Sequence, residues 1–277
     1  MKVAISFLTV FALIALFGST ALGQYSTSAR FEPDGRYTFT ATINTGFPGT
    51  PAVMTGAPYS GEEVAQTIQI LADGTRVTRP QASVRVWRDS GGRTRTERPL
   101  MPVMTGSMTV ENMPYLIEIF DPDAGYRYYV DSVNRVAHRC KLPANLPKIR
   151  LSSQNAVIGR SINVTRPGPN NSETATESLG TKIVEGISAE GILTTTTYPI
   201  GAVGNDRPIA TTMEMWRSPD LNVTVFTKNV DPRSGENIHG LINISRAEPN
   251  PSLFEVPPDY QLADETGSFT VTITGHK

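Results

Sequence analysis

The sequence predicts a mainly β protein built on a large antiparallel sheet, with few helices. Three observations carry that expectation. From Tyr37 onward apolar and polar residues alternate in short runs, no segment holds a convincing 3.6-residue period, and turn-forming residues recur between the runs. Strands this numerous, with no helices between them, imply a sheet that curls or closes to protect its edges.

In chain order, the first segment reads as a signal peptide over residues 1–23. Lys2 supplies a short basic start, residues 3–17 are almost wholly apolar, and Ala21-Leu22-Gly23 offers small residues for cleavage. The apolar run is short for a membrane span and no cysteine follows it to carry a lipid, so the expectation is an exported protein, periplasmic or extracellular, with no transmembrane span after cleavage. Residues 24–277 then read as a single β-rich domain.

Within that domain, residues 64–71 and 75–78 flank Asp73-Gly74, a pair that readily takes the positive φ angles of a tight hairpin. A second hairpin joins 83–88 to 93–97 through Asp89-Ser-Gly-Gly. Residues 115–120, 126–130 and 135–140 form a meander whose first turn is Asp121-Pro-Asp-Ala-Gly125, where proline presets φ and glycine closes the turn. Residues 141–178 hold prolines at 143, 147, 167 and 169 and a Gly-Pro-Asn-Asn-Ser tract, and are expected to be a largely exposed excursion. Strands resume at 192–198, 209–216, 222–229 and 237–245, the last pair joined by Asp231-Pro-Arg-Ser-Gly235, and 266–274 adds an edge strand after Pro257-Pro258. Along these strands Ile117 and Ile119 fall on one side and Leu116, Glu118 and Phe120 on the other, while Val223 and Val225 oppose Thr224 and Phe226.

Composition limits the chemistry. The chain carries 25 basic and 26 acidic residues, net -1, and gives no footing for wholesale nucleic-acid binding. Cys140 is the only cysteine, which rules out an intramolecular disulfide and reads as a small buried hydrophobe. The three histidines (138, 239 and 276) form no His-Glu-x-x-His pair, so no metal or other cofactor is indicated. Gly186-Ile-Ser188-Ala-Glu-Gly191 misses the nucleophile-elbow spacing by one residue, and Asp121-x-Asp123-x-Gly125 reads as a turn and not as a calcium loop, whose twelfth position would fall on Ser132. No catalytic constellation emerges, and the chain reads as non-catalytic.

Two groups of residues are candidates for binding. Seven arginines, at 76, 79, 85, 88, 93, 95 and 98, stand against Asp89 and Glu97, and Arg85, Arg93 and Arg95 are candidate contacts for an anionic lipid or envelope component. The competing reading is a solvated strand surface guarded against edge pairing. Trp87, Tyr126, Tyr128, Trp216 and Phe226 are candidates to line an apolar ligand site, against the ordinary reading of core aromatics.

The C-terminal stretch Met215-Trp-Arg-Ser-Pro-Asp-Leu-Asn-Val-Thr-Val, the Asp231 turn and Glu248-Pro-Asn-Pro-Ser-Leu-Phe254-Glu-Val-Pro-Pro-Asp-Tyr260 resemble the ending of bacterial envelope proteins with the lipoprotein-carrier (LolA-like) fold. That resemblance implies a large curved antiparallel sheet forming an incomplete, or half, barrel around an apolar cavity. Ala57-Pro-Tyr-Ser60, Leu71-Ala-Asp-Gly74 and Arg88-Asp-Ser-Gly-Gly-Arg93 resemble a family of uncharacterised secreted bacterial proteins. Together these readings give an exported binding protein for an apolar or amphipathic ligand, lipid or lipoprotein-like, or for an envelope partner. The alternative is a structural or scaffold module of the cell envelope acting through protein–protein contacts.

Overall fold

The computed structural model describes residues 24–31, 36–45, 52–81, 83–100, 115–151, 166–168 and 171–276. The predicted signal segment, residues 1–23, and residues 152–165 of the predicted excursion lie outside them. The strands in the first third are β1 (Gln24–Phe31), β2 (Arg36–Asn44), β3 (Val53–Thr55), β4 (Tyr59–Ile70), β5 (Arg76–Pro80), β6 (Val84–Arg88) and β7 (Thr94–Pro99). The middle holds β8 (Tyr115–Asp121), β9 (Tyr126–Asp131), β10 (Val136–Lys141), β11 (Lys148–Arg150) and β12 (Arg166–Pro167). Then follow β13 (Glu173–Val184), β14 (Ile187–Tyr198), β15 (Ile209–Ser218), β16 (Val223–Asp231), β17 (Gly235–Ser245), a 3-10 turn at Pro251–Phe254, β18 (Gln261–Glu265) and β19 (Phe269–His276).

The protein is therefore mainly β, and its large antiparallel sheet is open, with free ends at β12 and β18, which is consistent with an incomplete barrel. The contacts divide the chain into two units. One comprises the residues up to Ser60, Ala82–Arg150 and those from Arg246; the other comprises Gly61–Gln81 and Leu151–Ser245.

The first unit is layered. Strands β6, β7, β8, β9, β10 and β18 lie side by side, and β1, β2 and β19 form a separate three-stranded sheet. The alternation read at residues 116–120 sorts side chains between two cores. Leu116, Tyr129 and Cys140 pack with Phe39, Ala41, Ile43, Val271 and Ile273 of the smaller sheet. On the opposite face Ile119, Val130 and Ala137 close around Phe254, which arrives on the 3-10 turn of a C-terminal strap. Both faces of this sheet are thus filled from within the chain. Two strand pairs, β10 with β18 and β3 with β11, run parallel, because each partner arrives over a long connection and not a hairpin.

The second unit is a meander, β13 to β17, with the β4–β5 hairpin, and among the described residues its extensive strand contacts are between sheet neighbours. The Asp-Pro turns behave as the sequence suggests. Asp121 Oδ1 accepts from the Asp123 and Ala124 amides and Asp231 Oδ1 from the Arg233 amide, with Gly125 and Gly235 at φ 78° and 98°. The alternation predicted at residues 223–226 is interrupted by a register shift at Trp216/Arg217, and Val223, Thr224 and Val225 are all buried. The predicted excursion ends early, since residues 173–178 are strand β13 and pair with β14.

Candidate functional site

The aromatic candidates fall into two separate groups. In the first unit Trp87 and Tyr128 are half-buried, packed on the Ile119–Val130–Ala137–Phe254 core beneath the strap. Burial raises the Tyr128 phenol above its ordinary value, so the hydroxyl stays protonated. Tyr126 sits 6.1 Å from Tyr128 ring to ring, with the Arg139 guanidinium 4.6 Å above it. It lines an open depression of about 410 Å³ with Pro122, Leu142, Leu146 and Lys148. In the second unit Trp216 and Phe226 stand directly opposite each other in register. The Lys182 ammonium lies 3.7 Å from the Trp216 ring centre and 5.6 Å from that of Phe226. Trp216 also donates from Nε1 to Glu214 Oε1 (2.5 Å) and rests on Gly191, where an added Cβ would come within 2.6 Å of the ring.

The arginine candidates are engaged within the first unit. Arg93 donates from its amide and Nε to the two Asp89 carboxylate oxygens (2.8 and 2.6 Å) and lies over the Phe254 ring. Arg95 donates to Glu97 (2.8 and 2.6 Å) and from Nη1 to the Leu253 carbonyl (2.9 Å). Arg85, on the opposite side of Glu97, pairs with that same carboxylate at 2.5 Å and stacks near Trp87 and Tyr115. Arg93 and Arg95 clamp the hairpin and the strap together, and Glu248 completes the clamp by accepting from the Ser90 amide and hydroxyl (3.0 and 3.1 Å). Arg88 folds inward to donate twice to the Ala57 carbonyl (3.0 and 2.8 Å), joining two of the motifs singled out in the sequence.

A different surface in the second unit was not singled out by its residues. Register places Ile192 opposite Met215, Thr194 opposite Met213, Thr196 opposite Thr211 and Tyr198 opposite Ile209, so these eight side chains of β14 and β15 share one face. All eight are half-buried. None is charged. The threonines satisfy one another across the adjoining strand, Thr174 with Thr196 at 3.1 Å and Thr176 with Thr194 at 3.3 Å. Toward β17 the face turns to amides, with Asn229 opposite Asn237, which accepts from Thr67 (3.1 Å). The reverse face of the same strands carries charges too: Glu214 with Lys182 (3.8 Å), and Lys228 with Glu236 (3.1 Å). The eight residues thus form an uncharged stretch in the middle of their face, bounded on that same face by Glu190 opposite Arg217 at one end and by Asp231 with Arg233, which lies over Tyr198, at the other. The pattern is visible in Thr211-Thr-Met-Glu-Met215, but it acquires meaning only when the register with β14 is known.

Burial pushes the Cys140 thiol up to about 11, away from the thiolate, and its strand neighbour His138 is turned to Glu265 (2.8 Å) and stacked on Phe269. Among the described residues no group of three or more His, Cys, Asp or Glu is placed to hold a metal ion, and no helix is long and apolar enough to cross a membrane.

No protein-family model matches the chain, and no curated protein does. Among solved structures it is similar to an uncharacterized conserved protein from Thermus thermophilus, at 9% identity and a TM-score of 0.35, over 76% of this chain and 91% of that one.

Proposed function

We propose that this is an exported, non-catalytic protein, periplasmic or extracellular, that binds an amphipathic ligand of the lipid class on the face of β14 and β15 that carries Met213 and Met215. The observation that carries the reading is the apolar and hydroxyl-bearing stretch in the middle of that face. Ile192, Ile209, Met213 and Met215 stand together with threonines over two strands, an apolar and hydroxyl-bearing patch rimmed by the Glu190–Arg217 and Asp231–Arg233 pairs. Thioether and branched side chains adapt to acyl chains of varied shape, and threonine hydroxyls and the amides of Asn229 and Asn237 suit a polar head.

The test is thermal unfolding with a panel of fatty acids, lysophospholipids and phospholipids. A bound ligand stabilises the folded state by mass action, by about 2.7 kcal/mol at a hundredfold excess over Kd, so at least one lipid raises Tm by several degrees. Met213→Glu and Met215→Glu each abolish that rise while leaving the unliganded Tm within a few degrees. A panel that produces no shift in the wild-type protein contradicts the reading.

A further inference from the structure

Met213 and Met215 stand two residues apart on one face of β15, about 7 Å apart at Cβ. Register carries that face across two more strands. Met215 lies opposite Thr227 on β16, which in turn lies opposite His239 on β17, and Met213 leads in the same way through Asn229 to Asn237. Directly opposed residues share a face, so both thioethers and the His239 imidazole stand on the same side of the sheet. All three are half-buried. We infer that Met213, Met215 and His239 form a binding site for a soft monovalent cation, copper(I).

The donor set selects the ion. Thioethers are neutral, polarisable donors that favour copper(I) over hard divalent ions. The residues that register places beside them, Ile192, Thr194, Thr227, Asn229 and Asn237, are neutral as well, and a site of neutral groups suits a cation of single charge, which costs least to desolvate. Burial lowers the His239 pKa, so the imidazole is held neutral, the protonation state that ligates a metal. The reach is sufficient. Neighbouring strands lie about 4.8 Å apart, which puts Met215 and His239 about 10 Å from each other at Cα with a single strand between them. A methionine with three rotatable bonds spans one of those spacings and the imidazole the other, above Thr227, which is only 4% exposed, as expected where longer neighbours close over it. Metal spacings in sequence are those of histidine, cysteine and carboxylate, so this trio emerges only from the register. The inference goes beyond the lipid reading and does not depend on it.

Anaerobic titration with copper(I), kept reduced by ascorbate and offered in competition with the coloured chelator bathocuproine disulfonate, tests this. The wild-type protein withdraws one copper(I) per chain from the chelator. Met213→Leu, Met215→Leu and His239→Gln each weaken binding by at least about tenfold, a loss typical even of groups that only orient a metal ligand. Cys140→Ala, which removes the only thiol, binds as the wild type does. Leucine replaces methionine at nearly constant volume, so the two leucine variants fold and keep an apolar surface. A lipid-induced rise in Tm therefore survives in them, and the copper and lipid readings stand or fall separately. A wild-type protein that takes no copper(I) from the chelator overturns the inference. So does undiminished binding in both leucine variants, or binding that is lost in Cys140→Ala.

Discussion

Phe254 and Cys140 show how single side chains divide the labour in the first unit. Phe254 is 2% exposed and plugs one face of the sheet, held from above by Arg93 and through its neighbour Leu253 by Arg95. Removing a fully buried aromatic costs its transfer free energy and leaves a cavity, so Phe254→Ala lowers stability by about 3–5 kcal/mol in urea unfolding. Cys140, 3% exposed on the opposite face, keeps its proton. Its thiol resists a disulfide-exchange reagent at pH 8 until the protein unfolds. Its folded value, about 11, lies above the ordinary 9.0, so its contribution is complete below pH 9 and is lost as pH rises toward 11. Comparing wild type with Cys140→Ala by chemical unfolding from pH 8 to 11 isolates that loss, which the variant lacks. The sequence makes a buried Cys140 legible, because an isolated cysteine without a partner behaves as a hydrophobe. It does not reveal the partners of Arg85, Arg93 and Arg95, since a charge count cannot see that Asp89 and Glu97 each sit where two or more donors converge.

At the scale of elements, the hairpins were legible because their turns are local. Asp73-Gly74, Asp121 to Gly125 and Asp231 to Gly235 each place the required residue at the required φ, and the strands on either side fall where alternation puts them. Strand β13 was not legible. Its residues Glu-Thr-Ala-Thr-Glu-Ser have alternation without apolar weight, and they follow a proline- and asparagine-rich tract that reads as loop. Nor was β18, whose parallel partner β10 is more than a hundred residues away and depends on where the strap delivers the chain. The two turn glycines at 74 and 235 separate backbone strain from crowding. At Gly74 (φ 86°) a Cβ meets nothing within 4 Å, whereas at Gly235 (φ 98°) it meets the Ile68 carbonyl oxygen. Gly74→Ala therefore costs about 1 kcal/mol, the penalty of a left-handed alanine. Gly235→Ala costs at least twice that, read as a difference in thermal or urea midpoints, because strand β4 must also shift.

For the molecule as a whole, the sequence conveyed fold class better than function. Alternation specifies a sheet and its faces, but which face is dry is decided by what packs on it, and that is a long-range property. In the first unit the strap and the small sheet pack on the two faces, with Trp87 and Tyr128 half-buried against the strap's core. In the second unit the uncharged surface around Met213 and Met215 has no such covering element among the described residues. The proposed cargo role is placed on β14 and β15. Native mass spectrometry of the protein recovered under mild conditions from the cells that make it reads this claim most directly. The account predicts a population heavier than the bare chain by the mass of a lipid, released on collisional activation and absent from Met213→Glu; a wild-type spectrum containing only unmodified, ligand-free chain contradicts it.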